Sequence, residues 1–360
     1  MPTILLILVA GIGDFVLATR AIRAVRRGHP GAAIHLLTSS EGAIFARRYS
    51  GIDRVFVFPI RELRGQRFPV RPFVDVLRQL RRTRYDIAAN FYPVCSWAGS
   101  ARMALLFSLI RARLKAGHAH GFMRLLLNTH VPERVFFSTH RVNAMAEVAC
   151  AIGGRDDDLG IEVPVADGKD RWDGLVAPHI QGHAGKMIGI SPGGDRANRR
   201  WPAANFAALA CELAGQIGAR VLIFGGPGEE SAAAAIHQSL NGAAVNLVGQ
   251  LALHELPYFL NRCDLLITND SGPMHIAAAL KVPVVALFGP ESPALFGPCS
   301  SPERSRVLQK SVPCRPCPHT SCAQPICLQG IYPSEVLAAA LDLLKTASSM
   351  NAADRNLKAG

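Results

Sequence analysis

No apolar run in this sequence approaches the ~20 residues that a membrane-spanning helix needs. The longest candidates are Thr3–Gly13, stopped by Asp14, and Met103–Ile110, fenced by Arg102 and Arg111. A basic leader with a cleavage site is also missing, so a cytoplasmic chain is expected. Aromatics make up only 7% of the residues. No aromatic stacking platform is evident beside the basic residues, so no nucleic-acid partner is expected. No acidic D-x-D pair stands in a suitable loop, because the run Asp156-Asp157-Asp158 falls in the expected domain junction. What is abundant excludes disorder: 49% of residues are hydrophobic and only 18% charged.

The 360 residues suffice for two domains at ~150 residues each. Net charge is +12, unevenly placed: residues 1–155 hold 23 Lys and Arg against 8 Asp and Glu. Such asymmetry suggests an anionic partner for the first half, or a compositional preference for Arg, since only seven of the 39 cations are Lys. Strand and helix patterns alternate throughout. Ile4–Val9 is a buried-strand run. The following helix sets Phe15, Ala18, Ile22 and Val25 on one face, with Arg20, Arg23, Arg26 and Arg27 away from it. Strands at 33–37, 55–58 and 87–90 and a helix over 74–82 complete a βαβ series, hence a parallel sheet. The acidic segment 156–169 and the stretch 171–186 read as the junction. The pattern then restarts, with strands at 187–190, 220–224, 265–268 and 282–288. Helices are expected over 202–217, 231–240, 273–280 and 334–346, with a frayed polar tail after them. The expected fold class is α/β, with two Rossmann-like doubly wound domains and a cleft between them. The first domain is placed at 1–170, the second at 171–346, and the tail at 347–360.

Ligands of open parallel sheets bind at the carboxyl ends of strands. Gly11–Asp14, Ser191–Gly194, Gly225–Glu229 and Asn269–His275 all lie at such ends. The first loop fails the dinucleotide fingerprint: Val16 stands where the third glycine belongs, and Thr38-Ser39-Ser40 replaces the ribose-binding acid. Asp14 is either a helix-terminal carboxylate or a general base. In the segment 269–275, Pro273 suits the first helical position, where its missing N–H costs nothing. The N–H groups of Ser271, Gly272 and Met274 then form a diphosphate cradle at the helix's positive end, with His275 one turn inside. Arg199, in the basic loop 196–200, offers a bidentate phosphate contact, and Trp201 beside it suits packing between layers. The alternatives are a well-capped helix with Asp270 as a structural acceptor, and a solvated basic loop.

Several of these pieces together resemble glycosyltransferase family 9, the ADP-heptose:lipopolysaccharide heptosyltransferases. They are Gly13-Asp14-Phe15-Val16-Leu17 with its Arg-rich helix, Ser191-Pro192-Gly193-Gly194 through Arg200-Trp201-Pro202, and Gly225-Gly226-Pro227. The runs Asn269 to Ala279 and Val284 to Pro290 complete the set, in family order along nearly the whole chain. The resemblance implies a GT-B fold, with the acceptor bound by the N-terminal domain and the donor by the C-terminal one. It implies inverting transfer of a heptose from ADP-heptose to the lipopolysaccharide inner core, with no metal required. It matches the family's base to Asp14, its phosphate contacts to Ser271, Gly272 and His275, its ribose contact to Glu229 and its donor-sugar contact to Asp270. Arg199 stands where the family often has Lys, and Gly193 and Gly194 where some members carry hydroxyls. Gly13, Arg113, Lys115 and His120 are candidates for an anionic glycolipid acceptor at the inner face of the cytoplasmic membrane, with an ordinary solvated basic surface as the alternative for 111–124. Other readings are a same-fold enzyme using another nucleotide sugar for a surface glycan, or a non-catalytic nucleotide-sugar- or metal-binding protein.

Of nine cysteines, Cys95, Cys150, Cys211 and Cys263 sit in apolar contexts expected of small core residues. Cys314, Cys317, Cys322 and Cys327 follow the spacing C-x2-C-x4-C-x4-C, with His319 as a spare ligand. They supply ligands for a structural zinc or iron–sulfur site, or remain thiols or a redox pair.

Overall fold

The computed structural model describes residues 1–58, 70–92, 96–240, 242–315, 317, 319 and 321–357. The chain divides into two units, Met1–Pro164 and Val165–Gly360.

The first unit is built on β1 (Thr3–Leu8), β2 (Ala33–Thr38), β3 (Arg54–Val57), β4 (Tyr85–Asn90), β5 (Ala112–His118) and β6 (Thr129–Val131). All pair in parallel, in the order β3-β2-β1-β4-β5-β6. This is the Rossmann order, with its switch point between β1 and β4. Ile4 is registered between Ile34 and Ile87. Residues Ile4 to Ile7 are fully buried, as a central parallel strand covered on both faces requires.

The helix Ile12–Gly28 buries Phe15, Ala18, Ile22 and Val25 as its periodicity predicts. Its arginines are engaged within the unit. Arg20 holds Asp156 through Nε and Nη2, both at 2.9 Å, and reaches Asp158 at 3.3 Å. Arg23 bonds the Gly160 carbonyl and lies 3.6 Å from Glu162, while Arg27 pairs with Asp157 at 3.2 Å. Arg26 bonds Asp53 and the Ala32 carbonyl, each at 2.6 Å. The acidic segment read as a junction is therefore packed on the first unit. A charge count stopping at residue 155 separates Arg20, Arg23 and Arg27 from their partners, so part of the apparent basic excess is internal. The stretch 171–186 is no plain linker either. Helices Lys169–Leu175 and Ala177–Ile180 occupy much of it, and Trp172 packs on Phe259 with ring centroids 5.4 Å apart.

The second unit repeats the plan with β7 (Met187–Ser191), β8 (Arg220–Ile223), β9 (Ala244–Asn246), β10 (Leu265–Asn269), β11 (Val284–Phe288) and β12 (Ser305–Gln309). Its order is β12-β11-β10-β7-β8-β9, again wholly parallel. Counted from its own first strand, the order is that of the first unit. Trp201 is buried, packs edge-on against Phe206 at 4.8 Å and donates its indole N–H to the Ile331 carbonyl at 3.0 Å. The last helix, Pro333–Leu357, continues well past 346, where a frayed tail was expected. Its residues after Thr346 include good helix formers such as Ala352 and Ala353, and no Gly or Pro stops it before Leu357.

Two of the four scattered cysteines correct the sequence reading. Cys263 is buried, but Cys150 and Cys211 are exposed, on the outer faces of amphipathic helices. Cys95 lies outside the described residues. No helix among the described residues is long and apolar enough to cross a membrane.

Candidate functional site

In the first unit, β1 ends into the helix Ile12–Gly28, and Asp14 is the third residue of that helix. Its carboxylate reaches back to accept the Gly11 N–H at 3.3 Å. This geometry satisfies one of the orphan donors of the first turn. Asp14 therefore has a capping role, and it also stands, half-buried, at the carboxyl end of the central strand. Gly13 precedes it in the same turn. The Thr38-Ser39-Ser40 triple serves the next helix: Ser39 Oγ accepts the Gly42 N–H at 3.1 Å and donates to the Ala10 carbonyl at 2.7 Å.

In the second unit, three loops converge at the carboxyl ends of β7, β8 and β10. Glu229 joins two of them: its carboxylate accepts the Gly194 N–H at 3.0 Å and the Gly226 N–H at 2.9 Å. The glycines here make room for an anion of the protein itself. A Cβ on Gly193 would fall 1.8 Å from Glu229 Oε1, and one on Gly225 would fall 2.7 Å from Oε2. Asn269, at the end of β10, fixes the third loop to the first. Its Nδ2 donates to the Pro192 and Gly193 carbonyls at 2.7 and 3.0 Å, and its Oδ1 accepts the Trp201 N–H at 3.0 Å. It is fully buried with both ends of its amide used. In the sequence Asn269 stands within the 269–275 motif, but nothing local points to its partners 68 to 77 residues away.

Arg199 closes a 3-10 turn, Ala197–Arg199, and its guanidinium is surrounded by carboxylates. Nη1 lies 3.5 Å from Asp270 Oδ2 and 3.7 Å from Asp195 Oδ1, and Nη2 donates to Glu291 Oε1. Arg196 shares Glu291 at 2.8 Å. Burial disfavours the Arg199 charge, but Asp270 and Glu291 more than compensate and raise its pKa. Asp270 behaves differently. It is 6% exposed, and its Oδ2 has no hydrogen-bond partner. Burial pushes its carboxyl up to about 6, assisted by Glu291 and Asp195, and Arg199 opposes without prevailing because it is shared with those same acids. Glu291 was missed from sequence. The available signal was a lone acid directly after Gly289-Pro290, but nothing local points across 92 residues to Arg199.

The helix Gly272–Ala279 follows Ser271, with Pro273 as its second residue and not its first, still within the turn whose N–H groups have no intrahelical partner, and no side chain caps it. Ser271 Oγ instead lies 3.1 Å from Thr268 Oγ1. The Met274 N–H is used by the Ser271 carbonyl at 3.2 Å, so the expected cradle keeps Ser271 and Gly272 but not Met274. His275 is buried one turn inside. This uncapped terminus, Arg199 and Asp270 belong to one unit and follow one another around the ends of β7 and β10.

The basic segment 111–124 forms β5 and a 3-10 turn, Gly121–Leu125. Arg113 is exposed on β5. Lys115 is half-buried, donates to the Phe107 carbonyl at 2.5 Å, and has its pKa lowered by burial. His120 precedes the turn, its ring 6.1 Å from Trp97. Cys314, Cys317, Cys322 and Cys327 line one small pocket. Among the described residues, no group of three or more His, Cys, Asp or Glu side chains is arranged to hold a metal ion. The segment is tied to the Arg199 loop, where Asn198 Nδ2 donates to the His319 carbonyl at 2.8 Å, and separately to the end of β11, where Arg315 Nη2 donates to the Gly289 carbonyl at 2.6 Å.

Residues 74–327 match glycosyltransferase family 9 (heptosyltransferase), and the chain belongs to that family. It is 33% identical over 177 residues to the lipooligosaccharide heptosyltransferase 2 of Campylobacter jejuni subsp. jejuni serotype O:2, a match covering 47% of this chain. The matched part spans about half, 54%, of that relative's length. In fold, the chain is similar to ADP-heptose lps heptosyltransferase II of E. coli, with a TM-score of 0.73 and 24% identity over 97% of this chain and all of that one. It is also similar to the family 9 glycosyl transferase of Veillonella parvula DSM 2008, with a TM-score of 0.78 and 24% identity over 95% of this chain and 97% of that one. The two doubly wound units are those of the GT-B fold.

Proposed function

We propose that this chain is an inverting glycosyltransferase moving a heptose from ADP-heptose to the lipopolysaccharide inner core at the cytoplasmic face of the inner membrane. The observation that carries the reading is the joint presentation, in the second unit, of Arg199 and the uncapped terminus of Gly272–Ala279. A departing nucleoside diphosphate needs its developing charge stabilised. A guanidinium and a helix N-terminus, positioned in advance through Glu291 and Asn269, supply that stabilisation, with Arg199 giving up part of its carboxylate company to the phosphate. Ser271, Gly272 and His275 complete the phosphate contacts in this reading. Glu229, bonded through the glycine loops at Gly194 and Gly226, faces the nucleoside ribose, with Gly193 and Gly194 against the donor. Asp270 contacts the transferred sugar.

The first unit takes the acceptor. Asp14 removes the proton from the attacking hydroxyl, the new glycosidic bond forms as the bond to the diphosphate breaks, and the anomeric configuration inverts. Gly13 leaves space beside Asp14, and Arg113, Lys115 and His120 meet acceptor phosphates and carboxylates. Because Arg199 and the helix terminus carry the leaving-group charge, transfer needs no divalent ion. The cysteine segment braces the Arg199 loop through Asn198, and any soft metal held there is structural.

The test is direct. The purified chain is incubated with ADP-heptose and heptose-free lipopolysaccharide, and ADP release and the extended glycan are followed together. UDP- and GDP-sugars run in parallel address the second reading, a same-fold enzyme with another donor. Release of ADP with transfer supports the proposal. Transfer from another nucleotide sugar alone replaces it.

A further inference from the structure

The stretch between Asp86 and Glu133 contains no carboxylate, yet holds five cations: Arg102, Arg111, Arg113, Lys115 and Arg124. The structure shows what it builds. The helix Trp97–Leu109 packs against the turn Gly121–Leu125. Ser100 Oγ joins them, donating to the His120 carbonyl at 2.8 Å and accepting the Met123 N–H at 3.3 Å. Met123 is buried and anchors the turn, which directs its neighbours outward. Trp97 is 68% exposed, Leu105 59%, Phe122 46% and Leu125 82%. Trp97 and Phe122 meet edge to face with ring centroids 5.7 Å apart. Leu105 lies two turns along the helix from Trp97, on the same stripe. Trp97 and Phe122, 25 residues apart in sequence, thus form an aromatic surface beside basic residues where the sequence shows none.

We propose that this patch docks the protein on an anionic phospholipid bilayer, with Trp97, Leu105, Phe122 and Leu125 entering the headgroup region and Arg102 and Arg124 pairing with lipid phosphates. The inference rests on the reading of a membrane-borne acceptor and names the surface that would reach it. Charge complementarity selects the occupant: the stretch that builds the patch has no acid over 46 residues, and the exposed Arg102 and Arg124 stand on the same helix and turn as the apolar residues, which matches a negative leaflet. Trp and Leu at an exposed apex are the side chains that partition into a membrane interface. The aliphatic residues Leu105 and Leu125 favour lipid over nucleic acid, which would be met by stacking rings alone.

The full chain is tested by flotation with vesicles of phosphatidylethanolamine and phosphatidylglycerol, and with phosphatidylcholine vesicles as the neutral control. The wild type is expected to float with the anionic vesicles at least tenfold better than with the neutral ones. Trp97 emission should shift to the blue, since Trp201 is buried and Trp172 half-buried. Trp97→Gln/Leu105→Gln/Leu125→Gln should lose at least tenfold in partitioning, and Arg102→Glu should lose the preference for anionic lipid. The single variant Leu125→Gln serves if the triple variant does not fold. ADP binding, measured alongside, separates the two ideas. An ADP-binding protein that stays out of the floated fraction overturns the docking surface and leaves the donor reading intact. Floating protein that ignores ADP does the reverse. Equal binding to both vesicle types, undiminished flotation of the variants, capture of single-stranded RNA in place of vesicles, or a wild-type dimer that the triple variant makes monomeric would each overturn the proposal.

Discussion

Asp270 lies 3.5 Å from the Arg199 guanidinium, and yet its carboxyl is harder to ionise than a free one. An ion pair at that distance ordinarily lowers an acid's pKa. Here one cation serves Asp270, Glu291 and Asp195, and burial of Asp270 outweighs its share. The arrangement is a cation crowded by acids in the free protein, suited to exchanging part of that company for phosphate oxygens.

Asp270 makes stability depend on pH in a defined direction. Its folded pKa, about 6, is above the ~3.9 of an unfolded aspartate. The folded state thus holds the proton more tightly. The group's contribution is full below about pH 4 and is lost as pH rises through about 6, a change on the order of 3 kcal/mol. Asp270→Asn should match the wild type near pH 4 and exceed it in denaturant unfolding at pH 7. A stability difference that does not change between those pH values would refute the assignment.

Asp14→Asn should keep ADP affinity within about twofold and lower turnover by at least ~10²-fold, the scale of a lost general base. The amide oxygen still accepts the Gly11 N–H, so the melting temperature should barely move. A variant that turns over like the wild type would leave Asp14 as a cap alone.

Arg199→Ala should weaken ADP by about 10- to 100-fold, the worth of charge-assisted hydrogen bonds at roughly 1.5–3 kcal/mol, and adenosine much less. Calorimetric titration of both ligands measures the difference, and Arg199→Lys should restore part of it. Equal losses for the two ligands would remove Arg199 from the phosphate site.

Gly193→Ala should displace Glu229, because the new Cβ would overlap its carboxylate. The Gly194 and Gly226 N–H groups then lose their acceptor, at a cost of up to about 1–3 kcal/mol for the part-buried Gly194 N–H and little for the exposed Gly226 N–H, which water can reach. Unfolding in denaturant should report the loss. In donor binding, discrimination between ADP and 2′-deoxy-ADP should shrink if Glu229 meets the ribose.

EDTA should leave transfer intact. If activity falls and Mg²⁺ or Mn²⁺ alone restores it, a catalytic metal is present and the mechanism above is wrong. If the fall tracks released zinc or iron and a lower melting temperature, the ion was structural, and the Cys314, Cys317, Cys322, Cys327→Ser variant should show the same loss of stability.

The central strands were legible because both faces of a parallel sheet are covered: Ile4 to Ile7 and Leu265 to Ile267 are unbroken apolar runs. β5 and β12 were not. Ala112–His118 alternates Arg113 and Lys115 with smaller residues, and Ser305–Gln309 is an edge strand with Arg306 and Gln309 half-exposed, so neither carries the run. In the site, residues whose role is local could be read, as with Pro273 in the first turn of a helix. Glu291, Asn269 and the Arg20–Asp156 pair act across 68 to 136 residues, and only the folded sheets bring them together. The Gly193–Glu229 fit was hidden for a further reason: a glycine in sequence does not say which atom occupies the space it leaves.

The bridge from Arg20 to Asp156 also bears on how the chain is made. A ribosome releases the helix Ile12–Gly28 early, but its acidic counterparts at 156–162 emerge only after nearly the whole first unit has been synthesised. Until then the nascent segment carries 23 cationic residues against 8 acidic ones, close to the anionic surface of the ribosome itself. Arg20, Arg23 and Arg27 therefore have none of these intramolecular partners until residues 156–162 have been synthesised, just short of the end of the first unit at Pro164.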